Sequence, residues 1–254
     1  MNYKELKDFL ELKVEQYHRP EFLKDDPICI PHHFKKKEDI EISGFLTATI
    51  AWGNRKSIVK SATRLMELME WEPYRFIMEY QPDKDDTFSG FVHRTFKEED
   101  LRYFVCALKH LYTNYGGLEP IFARYETHSN LQLAITAFKR HFFELNHPRR
   151  STKHISDPGK GSAAKRINMF LRWMIRSNTG GVDFGLWDRL KPSQLSCPLD
   201  IHSGRVARKL GLLVRKQNDA RAVAELDHNL RKLDPEDPVK FDFALFGLGV
   251  FEKF

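Results

Sequence analysis

The chain has 254 residues, of which 41% are hydrophobic and 13% aromatic, enough to fill a core in one large domain or two small ones, so disorder is not expected. Forty-one Lys and Arg against 35 Asp and Glu leave a net charge of +6, which favours an anionic partner. Cys29, Cys106 and Cys197 are widely spaced and form no CxxC pair, so neither a disulfide framework nor a zinc or iron–sulfur site is expected, and a reducing cytoplasm fits.

Residues 3–17 place Leu6, Phe9, Leu10 and Val14 at helical spacing before Pro20, which predicts an amphipathic helix. Charges run through this segment and no later run is long enough to cross a bilayer, so a soluble, unexported protein is expected. After a loop with Pro27, Pro31 and the basic run Lys35–Lys37, the stretch EDIEISGFLTATIAWG reads as a buried helix stopped by Gly53. The next helix, over 54–71, sets Ile58, Val59, Ala62, Leu65, Met66 and Met69 against a basic face of Arg55, Lys56, Lys60 and Arg64, which reads as solvated surface.

A helix over 97–115 opens with acids and ends at Gly116, in keeping with the helix dipole and the glycine preference past a C-terminus. Another covers 129–145, followed by an exposed loop, NHPRRSTKHISDPGKGS, whose Arg149 and Arg150 read as surface charge. Residues 162–176 resume helical spacing with Ser162 as cap, Ala163, Ile167, Phe170, Leu171 and Met174 inward, and Lys165, Arg166, Arg172 and Arg176 facing elsewhere. A glycine-rich insertion follows, then helices near 202–211, 219–233 and 238–251. Strand-like alternation is nearly absent, which predicts an all-α protein of roughly ten helices packed in two layers or lobes.

Two short segments carry chemistry. In DPGKGSAAKR, two glycines bracket Lys160 just before a helix start; a turn of this kind exposes backbone N–H groups that can approach a phosphate, although ordinary loops also contain it. Farther on, Asp200 falls at a loop–helix junction beside Arg205, Arg208 and Lys209. A carboxylate there is either a helix N-cap, a group with chemistry to perform, or both. His202 reads as structural, and the scattered His18, His32, His33 and Asp39 lack the converging spacing of a metal site, so no metal or cofactor is expected.

The segment PLDIHSGRVARKLGLL, residues 198–213, resembles the part of the helix–hairpin–helix DNA glycosylases in which an Asp-x-His precedes a helix of Arg-Val character. DPGKGSAAKRINMF is similar to their hairpin and its second helix, LRKLDPEDPVKFDFALFGLG to their closing helix, and IEISGFLTATIAWGNRKSIVKSATRLMELM to their first core helix pair. Along the chain the sequence resembles a bacterial branch of that superfamily to which no activity is assigned. The likeness spans most of residues 38–250, and its specific part is the Asp200 segment.

The resemblance implies one glycosylase-like unit of two helical lobes over residues 1–254, with the hairpin and catalytic segment at 157–210, acting on damaged duplex DNA in base excision repair. Such enzymes flip a damaged nucleotide into a pocket and cleave its glycosidic bond. Asp200 matches their essential carboxylate, which stabilises positive charge on a sugar that is losing its base. Strict Gly-x-Gly-x-Lys spacing from Gly159 lands on Ala163, so this chain departs from the commonest pattern of the bifunctional members; Lys165, two residues on, is the expected Schiff-base nucleophile. Gly159, Lys160, Gly161, Ser162 and Arg205 are the expected DNA contacts, and Trp187 a candidate for stacking on a flipped base such as an oxidised purine, with burial in the insertion as the competing role. A non-catalytic protein that uses the same hairpin to bind DNA or structured RNA is the alternative.

Overall fold

A computed structural model describes residues 2–82 and 86–254 of the chain. The protein is all-α. Its helices are α1 (Tyr3–Tyr17), α2 (Lys37–Ile50), α3 (Arg55–Leu68), α4 (Pro73–Glu79), α5 (Glu98–Tyr115), α6 (Glu119–Ala123), α7 (Gln132–Phe142), α8 (Lys165–Ile175), α9 (Ile201–Lys209), α10 (Ala220–Leu233) and α11 (Phe241–Val250). Short 3-10 turns join several of them, and β1 (Val92–His93) pairs antiparallel with β2 (Phe96–Lys97) in one small hairpin. Among the described residues no helix is long and apolar enough to cross a membrane.

Two compact units form, each drawn from separate stretches of sequence. The first comprises Met1–Phe22, Tyr125–Leu133 and Asp157–Phe254; the second comprises Leu23–Arg124 and Ala134–Ser156.

In the first unit, α11 packs against both α1 and α9. Leu10 of α1, Val206 of α9, Leu226 and Leu230 of α10 and Leu245 and Leu248 of α11 are fully buried in one apolar cluster. Close approach explains the glycines of α11. A Cβ on Gly249 would stand 3.0 Å from the Cβ of His202, and one on Gly247 would enter the ring of Tyr17, so both helices settle onto a surface that larger residues would hold away. This packing fixes the start of α9, where Asp200 lies.

In the second unit, α2 is buried from Ile40 through Ile50, as its near-continuous apolar sequence requires. Phe45 meets Phe104 of α5 and Phe138 and Phe142 of α7 at centroid separations of 5.4–6.1 Å, a cluster of aromatic rings in offset and edge-on contact. The helix α4 and the hairpin were not legible as periodic segments, being seven residues and two short strands long. Nor is the 146–156 stretch a solvated loop. Arg150 bonds the buried carboxylate of Asp100 at 2.7 Å, and Ser151 Oγ donates to the same group at 2.7 Å.

The largest departure from the periodic pattern lies on α8. Arg172 and Arg176, expected on its solvent face, are only 4% and 3% exposed. Arg172 donates to Asp242 (2.6 Å) and Asp183 (3.2 Å), while Arg176 donates to Asp183 (2.7 Å) and forks onto both oxygens of Asp237 (2.9 and 2.8 Å). Two buried cations are thus held by three carboxylates. The insertion after α8 supplies Asp183, and is itself pinned by Phe184, whose N–H donates to the Trp173 carbonyl, and by Leu186 and Trp187, whose N–H groups both donate to the Met174 carbonyl.

Candidate functional site

Asp200 occupies the N-cap of α9 because its short carboxylate reaches the open N–H groups of the first turn. Oδ1 accepts from the N–H of His202 (2.8 Å), the N–H of Ser203 (3.0 Å) and the hydroxyl of Ser203 (3.2 Å). The Asp200 N–H donates back to Ser203 Oγ at 3.0 Å, and Asn218 Nδ2 holds the Asp200 carbonyl at 2.8 Å. These capping bonds converge on one oxygen. The other, Oδ2, faces Lys165 Nζ at 3.7 Å.

That separation is too long for a charge-assisted hydrogen bond and short enough for strong mutual attraction. The side chains of Lys165 and Asp200 are 32% and 19% exposed, so the pair opens to solvent and is not sealed in the interior. The sequence places both groups at helix amino ends, Lys165 as the first residue of α8 and Asp200 as the cap of α9. Helix N-termini carry partial positive charge, and two of them at one site favour an anion bound nearby.

Lys165 is delivered by an unusual turn. Ala164, only 1% exposed, takes the left-handed conformation (φ 47°, ψ 37°) at the N-cap of α8, and no side chain caps that helix. Ser162, expected as the cap, instead accepts from the Ala164 N–H at 3.1 Å, three residues before the helix starts. The preceding turn is anchored by a bridge between Ser162 and Asp219 and by the Ala220 N–H, which donates to Gly161 O at 3.0 Å.

The hairpin does not present the amide cradle that its glycines predict. The Gly159 N–H donates to Asp157 Oδ1 (2.9 Å), those of Lys160 and Ser162 to Asp157 O (3.1 and 3.2 Å), and that of Gly161 to Pro158 O (2.9 Å). Asp157 closes a 3-10 turn over Pro158–Lys160 and takes up the donors a phosphate would need. What the turn does offer outward is the exposed Lys160 side chain. Arg205 is exposed as well, with one N–H committed to Gly249 O at 2.9 Å. Trp187 is core, not a stacking platform: it is 1% exposed and meets the Phe170 ring edge-on at 5.5 Å.

Behind the pair lies chemistry that periodicity did not reveal. Asp242 is 5% exposed, bonds Arg172 at 2.6 Å and accepts from Cys197 Sγ at 3.6 Å. Burial raises its carboxyl above the usual range and the charge of Asp200 adds to this, while Arg172 and Lys165 oppose it. The Cys197 thiol is pushed up by burial, then by Asp242 and Asp227, and so stays protonated. The signal for Asp242 was a lone acid in the apolar run FDFALFGLG, which a core accepts only with a partner. Among the described residues no group of three or more His, Cys, Asp and Glu is arranged to hold a metal ion.

The arrangement sets a primary amine beside a carboxylate at an accessible position, the two groups needed for attack on an electrophilic carbon and for stabilising the cation that forms there. Searches of curated proteins and of solved structures each return no significant match to the chain. A family match covers residues 26–251, and the chain therefore belongs to the family described as Protein of unknown function (DUF2400).

Proposed function

We propose that the protein is a DNA glycosylase with lyase activity that removes a damaged base, with an oxidised purine as the first candidate. The observation that carries this reading is the 3.7 Å approach of Lys165 to the one oxygen of Asp200 that the helix cap leaves unused. The resemblance of residues 198–213 to the helix–hairpin–helix glycosylases supports it, as does the net charge of +6.

In this reading Lys165, once its proton is lost, adds its lone pair to C1′ of the flipped nucleotide. The glycosidic bond breaks, and the base leaves with the bonding electrons and takes up a proton. The nitrogen gives up a proton, the C1′–O4′ bond breaks with its electrons on O4′, which takes up a proton, and an iminium forms at Lys165 while Asp200 offsets the positive charge that develops on the way; loss of the C2′ proton then expels the 3′ phosphate and breaks the strand.

Incubation with duplexes that each hold a single lesion, followed by alkali cleavage, tests the proposal. Strand scission at one lesion, lost in Asp200→Asn with duplex affinity retained, is the expected result. Salt-sensitive binding without release of any base from the panel would instead make the chain a non-catalytic nucleic-acid-binding protein.

A further inference from the structure

The second unit carries a cationic surface separate in sequence from the Lys165–Asp200 pair. On α3, Lys56, Lys60 and Arg64 recur at every fourth residue and all three are exposed. Like charges in this spacing repel, each pair costing a few tenths of a kcal/mol. A helix face whose only task is to be wet ordinarily interleaves acids with its bases. Here the sole carboxylate paired with this row among the described residues is Glu67, 3.5 Å from Arg64 at its far end.

The row borders two recesses. One is an open concavity of about 600 Å³ lined by Lys24, Asn54, Arg55, Lys56, Val59 and Lys60. The other, of about 240 Å³, includes Lys60, Ser61, Arg64, Ser89 and Gly90 in its wall. Lys60 belongs to both, and among the described residues neither wall contains a carboxylate. Arg94 adds another cation: held at φ 55° in the turn of the β1–β2 hairpin, its guanidinium occupies the space a side chain on Gly53 would need.

We propose that this surface is a binding site for the phosphodiester backbone of a nucleic acid, with Lys56, Lys60 and Arg64 on successive phosphates and Lys24 and Arg55 also lining the larger recess. Four residues of helix advance about 6 Å, which is of the order of the separation between neighbouring phosphates on one strand. Point charges on flexible stems suit a backbone whose sequence is not read. An anionic membrane is the weaker match, because among the described residues Val59 is the one apolar residue of the larger wall and Leu68, Phe91 and Val92 those of the smaller, short of the broad apolar face that surface-bound helices need.

The site rests on the nucleic-acid reading for its ligand and not on base release. Binding of a short undamaged duplex is measured against salt concentration for the wild type, for the triple variant Lys56→Gln, Lys60→Gln, Arg64→Gln, and for Asp200→Asn. The triple variant should bind more weakly and lose about 0.9 from the log–log salt slope for each phosphate contact removed, hence about 2 to 3 in all. Its unfolding midpoint should match that of the wild type, and Asp200→Asn should keep the full slope whether or not any lesion is ever processed. An unchanged slope in the triple variant, or no duplex binding by the wild type, would overturn the proposal. So would loss of binding to phosphatidylserine vesicles with duplex binding intact.

Discussion

The amine of Lys165 approaches Oδ2 of Asp200 at 3.7 Å while Oδ1 of the same carboxylate accepts the first-turn N–H groups of α9. The helix cap and the contact with the amine therefore fall on different oxygens, and the cap can be separated from the proposed chemistry by substitution. Asn caps helices as well as Asp does, so Asp200→Asn should change stability by less than about 0.5 kcal/mol, whereas Asp200→Ala should cost about 1 kcal/mol. Both should lose base release by on the order of 100-fold or more. Thermal unfolding read beside product formation checks the split.

The buried charges of α8 make a second prediction. Asp183 is fully buried between Arg172 and Arg176, and Asp183→Asn leaves those cations with too few counter-charges. Removing one partner from such a cluster costs about 3–5 kcal/mol. Denaturant unfolding measures it, and a loss below about 1 kcal/mol would place the network among surface-like ion pairs.

Ala164 holds a left-handed conformation that L-residues with a Cβ resist by about 1–2 kcal/mol. Ala164→Gly should relieve this strain and raise stability by up to about 1 kcal/mol, net of the greater freedom of glycine in the unfolded chain. If the strained turn is what aims Lys165, turnover should fall in the more stable variant. Paired measurements of unfolding and base release decide this.

His18 supplies a pH signature. Burial, and then the charge of Arg176, lower its imidazole from 6.5 to about 4. The unfolded chain therefore binds more protons than the folded one between those values, and the stability His18 contributes, fully present above pH 6.5, is lost as the pH falls toward 4. Imidazole resonances followed by NMR should show a neutral ring at pH 6. The stability advantage of the wild type over His18→Gln should shrink across the same interval.

Trp187 separates packing from recognition. Its burial against Phe170 predicts a loss of about 3–5 kcal/mol for Trp187→Ala. Trp187→Phe, which keeps an apolar ring, should leave duplex affinity unchanged in a titration; a fall in affinity without a fall in stability would return the indole to the binding surface.

Much of this architecture was readable because long helices repeat. The apolar spacing in α1, the acidic start and glycine stop of α5 and the unbroken run of α2 set their positions to within a few residues. Asp200 was readable as a cap because Asp followed by a helical pattern has few other uses there, and Lys165 came with it through a family likeness and not through spacing. Three features were not legible. The burial of Arg172 and Arg176 depends on Asp183, Asp237 and Asp242, which the fold gathers from three segments. The loss of the amide cradle depends on Asp157 turning onto its own glycines, a local hydrogen bond that a Gly-x-Gly pattern does not announce. Trp187 carried the same ambiguity until its neighbours were known.

Borohydride trapping on a lesion-containing duplex tests the central claim most directly, because it captures the covalent bond between amine and sugar. The wild type should yield a stable protein–DNA adduct, Lys160→Gln should yield it equally, and Lys165→Gln should yield none while still folding and binding the duplex. An adduct that survives Lys165→Gln, or one that vanishes only with Lys160→Gln, would contradict the assignment.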